Sequence, residues 1–223
     1  MIRGVIFDLD GVLVRTDELH YQSWKKLADE EGFHFDRAVN ERLRGISRLE
    51  SLEIILRHAG RTYSPAQQQA LAERKNAMYR ELLQTLTPAD LLPGATETLK
   101  ALRQRGIKTA IGSSSRNTRL ILQRLELIPY FDAVVDGNDI TRAKPDPEVF
   151  LRAAERLGLP PNECLVVEDA VAGVESARRA GMAVFGIGTP QSLPGVRHLA
   201  ASLAETTVDA LLAVGSETDR SPT

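Results

Sequence analysis

Five short runs of aliphatic and β-branched residues recur along the chain: Gly4 to Phe7, Lys108 to Ile111, Ala133 to Val135, Leu165 to Val167 and Ala183 to Ile187. Each is followed by a polar or glycine-containing turn. Continuous apolar runs of this length, rather than alternating ones, are expected of parallel strands covered on both faces. Between the later runs lie helical spacings, Leu120, Ile121, Leu125 and then Phe150, Leu151, Ala154, Leu157. Asp146-Pro147 opens the second of these, with proline expected at the first helical position. Strands alternating with helices predict an α/β fold, a doubly wound parallel sheet.

The first two runs are separated by about a hundred residues, where a crossover needs only a few dozen. An inserted domain is the economical explanation. Ser47-Arg48-Leu49-Glu50 and Ser64-Pro65-Ala66-Gln67 have the form of capping boxes, followed by apolar spacings Leu49, Leu52, Leu56, Ala59 and Ala66, Ala70, Ala77. The expected division is a core of 1–14 and 91–214 with an inserted helical cap over 15–90. Val208 to Val214 reads as a last helix, and the polar segment 215–223 as a disordered tail.

Composition narrows the partners. Hydrophobic residues make up 43% and charged residues 26% of 223, with a formal net charge of -2. There is no basic field to recruit nucleic acid or an anionic membrane, so a small molecule is the expected partner. One cysteine, Cys164, excludes an intramolecular disulfide framework and suits a reducing compartment. Neither a signal-peptide pattern nor a membrane-spanning run occurs, so a cytoplasmic monomer is expected.

The candidate chemistry gathers at strand ends. The first strand runs into Asp8-Leu9-Asp10-Gly11 and the fourth into Glu168-Asp169, which puts four carboxylates on the edge where open α/β sheets bind ligands. Buried like charges are costly unless neutralised, and Mg2+ prefers carboxylate oxygens together with substrate phosphate. The second strand leads into Ser113-Ser114-Ser115-Arg116-Asn117, a hydroxyl-rich turn at a helix start that suits an anion. Lys144-Pro145 follows the third strand. Taken singly, the serines are ordinary helix caps and the lysine ordinary surface.

In this order Asp8-Leu9-Asp10-Gly11, Ser113-Ser114, Lys144-Pro145 and Glu168-Asp169 resemble the four motifs of the haloacid dehalogenase superfamily. The resemblance implies that Asp8 attacks phosphorus to form an aspartyl phosphate and that Asp10 is the general acid/base. It further implies that Ser113 or Ser114 and Lys144 hold the transferring group, while Asp8, the backbone carbonyl of Asp10 and Asp169 bind Mg2+, with Glu168 as a ligand or beside one. In the helical insert Thr16, His20, Trp24, Gly45, Ile46, Arg48 and Lys75 resemble the β-phosphoglucomutase group of that superfamily.

That likeness implies interconversion of β-glucose 1-phosphate and glucose 6-phosphate, primed by β-glucose 1,6-bisphosphate. It also implies that His20 and Lys75 link cap closure to Asp10. A mutase acting on a phosphosugar needs a second anion site. Arg48, at a capped helix start, with Ser115, Arg116 and Asn117 opposite, suits it. The competing reading is a sugar-phosphate or phosphoglycolate-type phosphatase, which needs only the core motifs. A phospho-receiver or binding module would need neither Asp10 nor the insert. His20 also reads as a packing residue, and Trp24 as cap core rather than a sugar platform.

Overall fold

The computed structural model describes residues 1–43 and 46–214. Six parallel strands form one sheet: β1 (Gly4–Phe7), β2 (Lys108–Gly112), β3 (Ala133–Val135), β4 (Cys164–Glu168), β5 (Ala183–Ile187) and β6 (Leu199–Ala200). Their order across the sheet is β3-β2-β1-β4-β5-β6. The order reverses at β1, so β1 and β4 lie side by side, with Phe7 opposite Val167. This switch point leaves a crevice at the carboxyl ends of the strands.

Alternate side chains of each strand enter different layers, as the period of two requires. Val5, Phe7, Leu165 and Val167 pack against α5 (Ala95–Gln104), α6 (Thr118–Arg124) and α9 (Val208–Ala213). Ile6 and Val166 face the other way, against α7 (Glu148–Leu157) and α8 (Val171–Arg179). Five strands fall where the apolar runs predict. The sixth, two residues long, is too short to give a pattern. Pro147 caps α7 instead of occupying its first turn, and Asp146 Oδ1 accepts from Glu148 N, 3.0 Å.

Between β1 and α5 the chain forms α1 (Asp17–Glu31), α2 (Arg37–Glu41), α3 (Arg48–His58) and α4 (Pro65–Leu83). Both capping boxes form, at Ser47 with Glu50 and at Ser64 with Gln67. These helices bury an apolar cluster of their own, including Trp24, Leu27, Phe35, Leu52, Ile55 and Leu71. The departing and returning segments run side by side, bridged at Val14 and Leu91, with Leu92 N donating to Leu13 O, 2.9 Å.

One expected stripe is on the wrong side. Ala66, Ala70 and Ala77 of α4 are exposed, and so is Leu49 of α3. The buried face of α4 is instead Leu71, Ala72, Lys75, Tyr79 and Leu83, because three alanines offer little area to bury beside a tyrosine and two leucines. Two of its members carry polar groups, and they face a cavity. The expected tail 215–223 lies outside the described residues, and among those described no helix is long and apolar enough to cross a membrane.

Candidate active site

A cavity of about 670 Å³ opens between the carboxyl ends of the strands and helices α1, α3 and α4. Asp8 sits at its floor, directly beyond β1, where its backbone N–H continues the sheet to Val167 O at 2.9 Å. The chain then turns sharply at Gly11, with φ +84. A Cβ here would lie 2.0 Å from Asp169 Oδ2. Only glycine admits both the conformation and the close approach, which lets Asp169 reach the floor beside Asp8.

Lys144 is the hub of the floor. Its Nζ donates to Asp8 Oδ1 at 2.5 Å and to Glu168 Oε1 at 2.7 Å, and the residue is 1% exposed. Burial opposes its charge, yet the two carboxylates outweigh burial and raise its pKa. Glu168 spends its other oxygen on Asp169 N at 2.5 Å and Ala170 N at 2.8 Å. The loop carrying Lys144 is tied back by Glu148, which accepts from Thr141 N (3.1 Å), Thr141 Oγ1 (2.9 Å) and Arg142 N (2.9 Å).

Asp8, Glu168 and Asp169 each offer a carboxylate oxygen within 4.8 Å of the other two. One lysine cannot balance three such groups. Burial pushes the Asp8 carboxyl up to about 7, with Lys144 pulling against it and Glu168 pushing further. A hard divalent cation suits this all-oxygen donor set. The Asp10 carboxylate is turned elsewhere, accepting a hydrogen bond from Thr16 Oγ1. Burial raises it to about 6 against that bond, a value that suits a proton-transfer group near neutral pH.

Thr16 is fully buried and its hydroxyl is spent on Asp10, which makes it a support for that carboxylate and not a group facing substrate. Ser113, Ser114, Ser115, Arg116 and Asn117 all border the cavity. Ser114 Oγ is buried with no hydrogen-bond partner, so this cavity-bordering residue has a donor to offer a bound group. The backbone of this turn offers less than the sequence suggests. Ser115 N is taken by Ser113 Oγ and Asn117 N by Ser115 Oγ, each at 3.2 Å.

The opposite wall is basic. Arg48, the first residue of α3, borders the cavity with Ile46. Partial burial lowers the Arg48 pKa, and the Arg116 charge across the cavity lowers it further. Gly45 lies outside the described residues. Lys75 is 2% exposed, and burial together with Arg48 drives its pKa well down, against the pull of Asp10.

Lys75 Nζ meets His20 Nδ1 at 2.8 Å, and it stands over the rings of Trp24 (4.9 Å) and Tyr79 (4.4 Å). His20 stacks on Tyr79 with ring centres 4.0 Å apart, and burial, then Lys75 and Arg48, keep it neutral. Trp24 belongs to the apolar cluster of the helices and still borders the cavity. Tyr79 borders the cavity and is a residue that sequence reading passes over. Its one signal is the spacing four residues after Lys75, on the same helical face.

Comparison with known proteins agrees with this geometry. The family model for haloacid dehalogenase-like hydrolases matches residues 2–181. A β-phosphoglucomutase of Bacillus subtilis is 43% identical over 212 residues, 94% of each chain. A phosphorylated carbohydrates phosphatase of Thermotoga maritima is 32% identical, covering 83% of this chain and 85% of that one. The crystal structure of a β-phosphoglucomutase from Clostridium difficile superposes with a TM-score of 0.93 at 35% identity, over 97% of this chain and 98% of that one. With its four motifs gathered on one sheet edge and matches that span almost its whole length, the chain belongs to the haloacid dehalogenase-like hydrolases and, inside that family, to the β-phosphoglucomutase group.

Proposed function

We propose that the protein interconverts β-D-glucose 1-phosphate and D-glucose 6-phosphate through an aspartyl phosphate on Asp8 and free β-glucose 1,6-bisphosphate. The observation that carries this reading is the pairing of two anion stations in one cavity. Asp8, Lys144 and the unpartnered Ser114 hydroxyl form one, and Arg48 facing Arg116 forms the other. A hydrolase acting on one phosphate needs only the first.

Asp8, Glu168 and Asp169, with the backbone carbonyl of Asp10, would hold Mg2+. That ion supplies positive charge to the phosphoryl oxygens and masks the carboxylate cluster. The chain's own groups do the rest. A carboxylate oxygen of Asp8 bonds to phosphorus as the P–O bond to the sugar breaks, while Lys144 and Ser114 donate to the transferring oxygens. Asp10 gives its proton to the departing sugar oxygen. In the other half of the cycle β-glucose 1-phosphate presents its 6-hydroxyl to the phosphorylated Asp8: Asp10 takes the hydroxyl proton, the oxygen bonds to phosphorus as the P–O bond to Asp8 breaks, and the bisphosphate so formed leaves and rebinds reversed, with its 1-phosphate at Asp8.

The helices of residues 15–90 act as a cap over the sheet and exclude water during the transfer. Lys75 and His20 connect that closure with Asp10, and Arg48, Ser115 and Arg116 hold the phosphate that is not being transferred. A phosphosugar substrate supports a cytoplasmic location. Purified protein given Mg2+, β-glucose 1-phosphate and a trace of bisphosphate is expected to yield glucose 6-phosphate, and excess EDTA to stop it. Inorganic phosphate as the main product would overturn the proposal.

A further inference from the structure

We infer that Asn76 and Arg80 of α4 are positioning residues that grip Asn117 and hold the anion-binding turn 113–117 against the helical layer. The inference rests on the phosphomutase reading for its chemistry, and on the following geometry for its substance.

Asn117 is the N-cap of α6, and asparagine at that place ordinarily turns its side-chain oxygen to the second or third N–H of its own helix. Here it makes no such bond. The side chain reaches across to the helical layer instead. Asn117 Nδ2 donates to Asn76 Oδ1 at 2.8 Å, and Arg80 Nη1 donates to Asn117 Oδ1 at 3.4 Å. Asn117 is 3% exposed, and a buried amide needs partners for both of its ends. Both partners come from α4, four residues apart on one face.

The location gives the grip its consequence. Asn117 directly follows Ser115 and Arg116, which border the cavity opposite Arg48. The Lys75–His20 pair joins α4 to α1, within the helical layer, and so does nothing by itself to hold that layer on the sheet. Arg124 also ties α6 to the chain after α4, at Gln84 O and Leu86 O, but close to where the chain returns to the sheet. The Asn76–Asn117–Arg80 bridge stands at the cavity itself. Separation of helices from sheet would break both of its bonds at once, so the bridge favours the water-excluding arrangement and places Arg116 for the second phosphate.

Asn76→Ala and Arg80→Ala are each expected to raise inorganic phosphate release relative to glucose 6-phosphate formation about tenfold, the weight of one hydrogen bond. Melting temperature should stay within a few degrees. Asn117→Ala removes both bonds and should raise the ratio at least as far as Asn76→Ala does, and adding Asn76→Ala to it should change nothing further, since that bond is already gone. A wild-type partition ratio in Asn76→Ala, or multiplying effects in the double variant, would overturn the inference. Were the wild-type protein to release only inorganic phosphate, the mutase reading would fall and the bridge would be judged on KM. It then predicts a KM for a phosphosugar raised about tenfold in Asn76→Ala with hydrolysis of p-nitrophenyl phosphate unchanged, and an unaltered KM for the phosphosugar refutes it.

Discussion

Replacing Gly173 by alanine sets two effects of opposite sign against each other. Gly173 lies within α8, where alanine is favoured by roughly 0.5–1 kcal/mol over glycine. The added Cβ, however, would stand 1.6 Å from Glu168 Oε1 and 2.1 Å from Glu168 Cδ. No rotation of the methyl relieves that, so the carboxylate must leave. It would give up Lys144 at 2.7 Å, Asp169 N at 2.5 Å and Ala170 N at 2.8 Å. Breaking a buried ion pair on one side costs about 3–5 kcal/mol, which outweighs the helical gain and leaves a net loss of about 2–4 kcal/mol. For a chain of this size each kcal/mol moves Tm by about 2–4 °C, so calorimetry should find Tm lowered by roughly 4–16 °C. Turnover should fall in parallel, because Lys144 loses one of its two anchors. An unchanged or raised Tm with near wild-type turnover would refute the placement of Glu168.

Two further substitutions probe other parts of the site. Arg48→Ala should lower kcat/KM for isomerisation by about a hundredfold or more, through loss of charge-assisted bonds to the second phosphate, while leaving hydrolysis of p-nitrophenyl phosphate within a few-fold; equal losses on both substrates would contradict a separate second station. Glu148 is held down at about 2 from an ordinary value near 4.5, chiefly by the backbone N–H of Arg142 with help from Arg152 and Thr141 against a burial effect of opposite sign. A depressed carboxyl stabilises the fold above its unfolded pKa and loses that contribution as pH falls through its folded one. Glu148→Gln should therefore melt lower than the wild type at pH 7, with the gap narrowing between pH 4.5 and 2 in calorimetric scans.

Much of the core was legible because parallel strands announce themselves as unbroken apolar runs, and the residue after such a run must lie on the ligand-binding edge. Asp8, Glu168 and Ser114 are therefore brought together by strand ends, whereas Lys144 joins them from the loop after β3 that Glu148 ties back. The helical insert was harder. On α4 the alanine spacing suggested one face and the structure buries another, since Lys75 and Tyr79 are polar by type and become interior only because α1 packs over them. Asn117 illustrates the same limit: its type and position mark it as a cap for α6, and only the approach of Asn76 and Arg80 from a helix about forty residues earlier redirects its side chain.

The two ends of the cavity carry opposite charge that their own neighbours only partly offset, and this bears on what the site can accept. At the floor Asp8 is pushed up because burial and Glu168 outweigh Lys144. At the far wall Lys75 and Arg48 are pushed down because burial and neighbouring cations disfavour their charge. A single anion set near the far wall would relieve Arg48 and Lys75 but leave the carboxylates strained, and a single cation at the floor would do the reverse. A divalent cation at the floor together with a ligand bearing phosphate at both ends satisfies the whole cavity. A sugar bisphosphate has that charge distribution in either of its two orientations, and the capacity to accept both is what separates a mutase from a phosphatase built on the same floor.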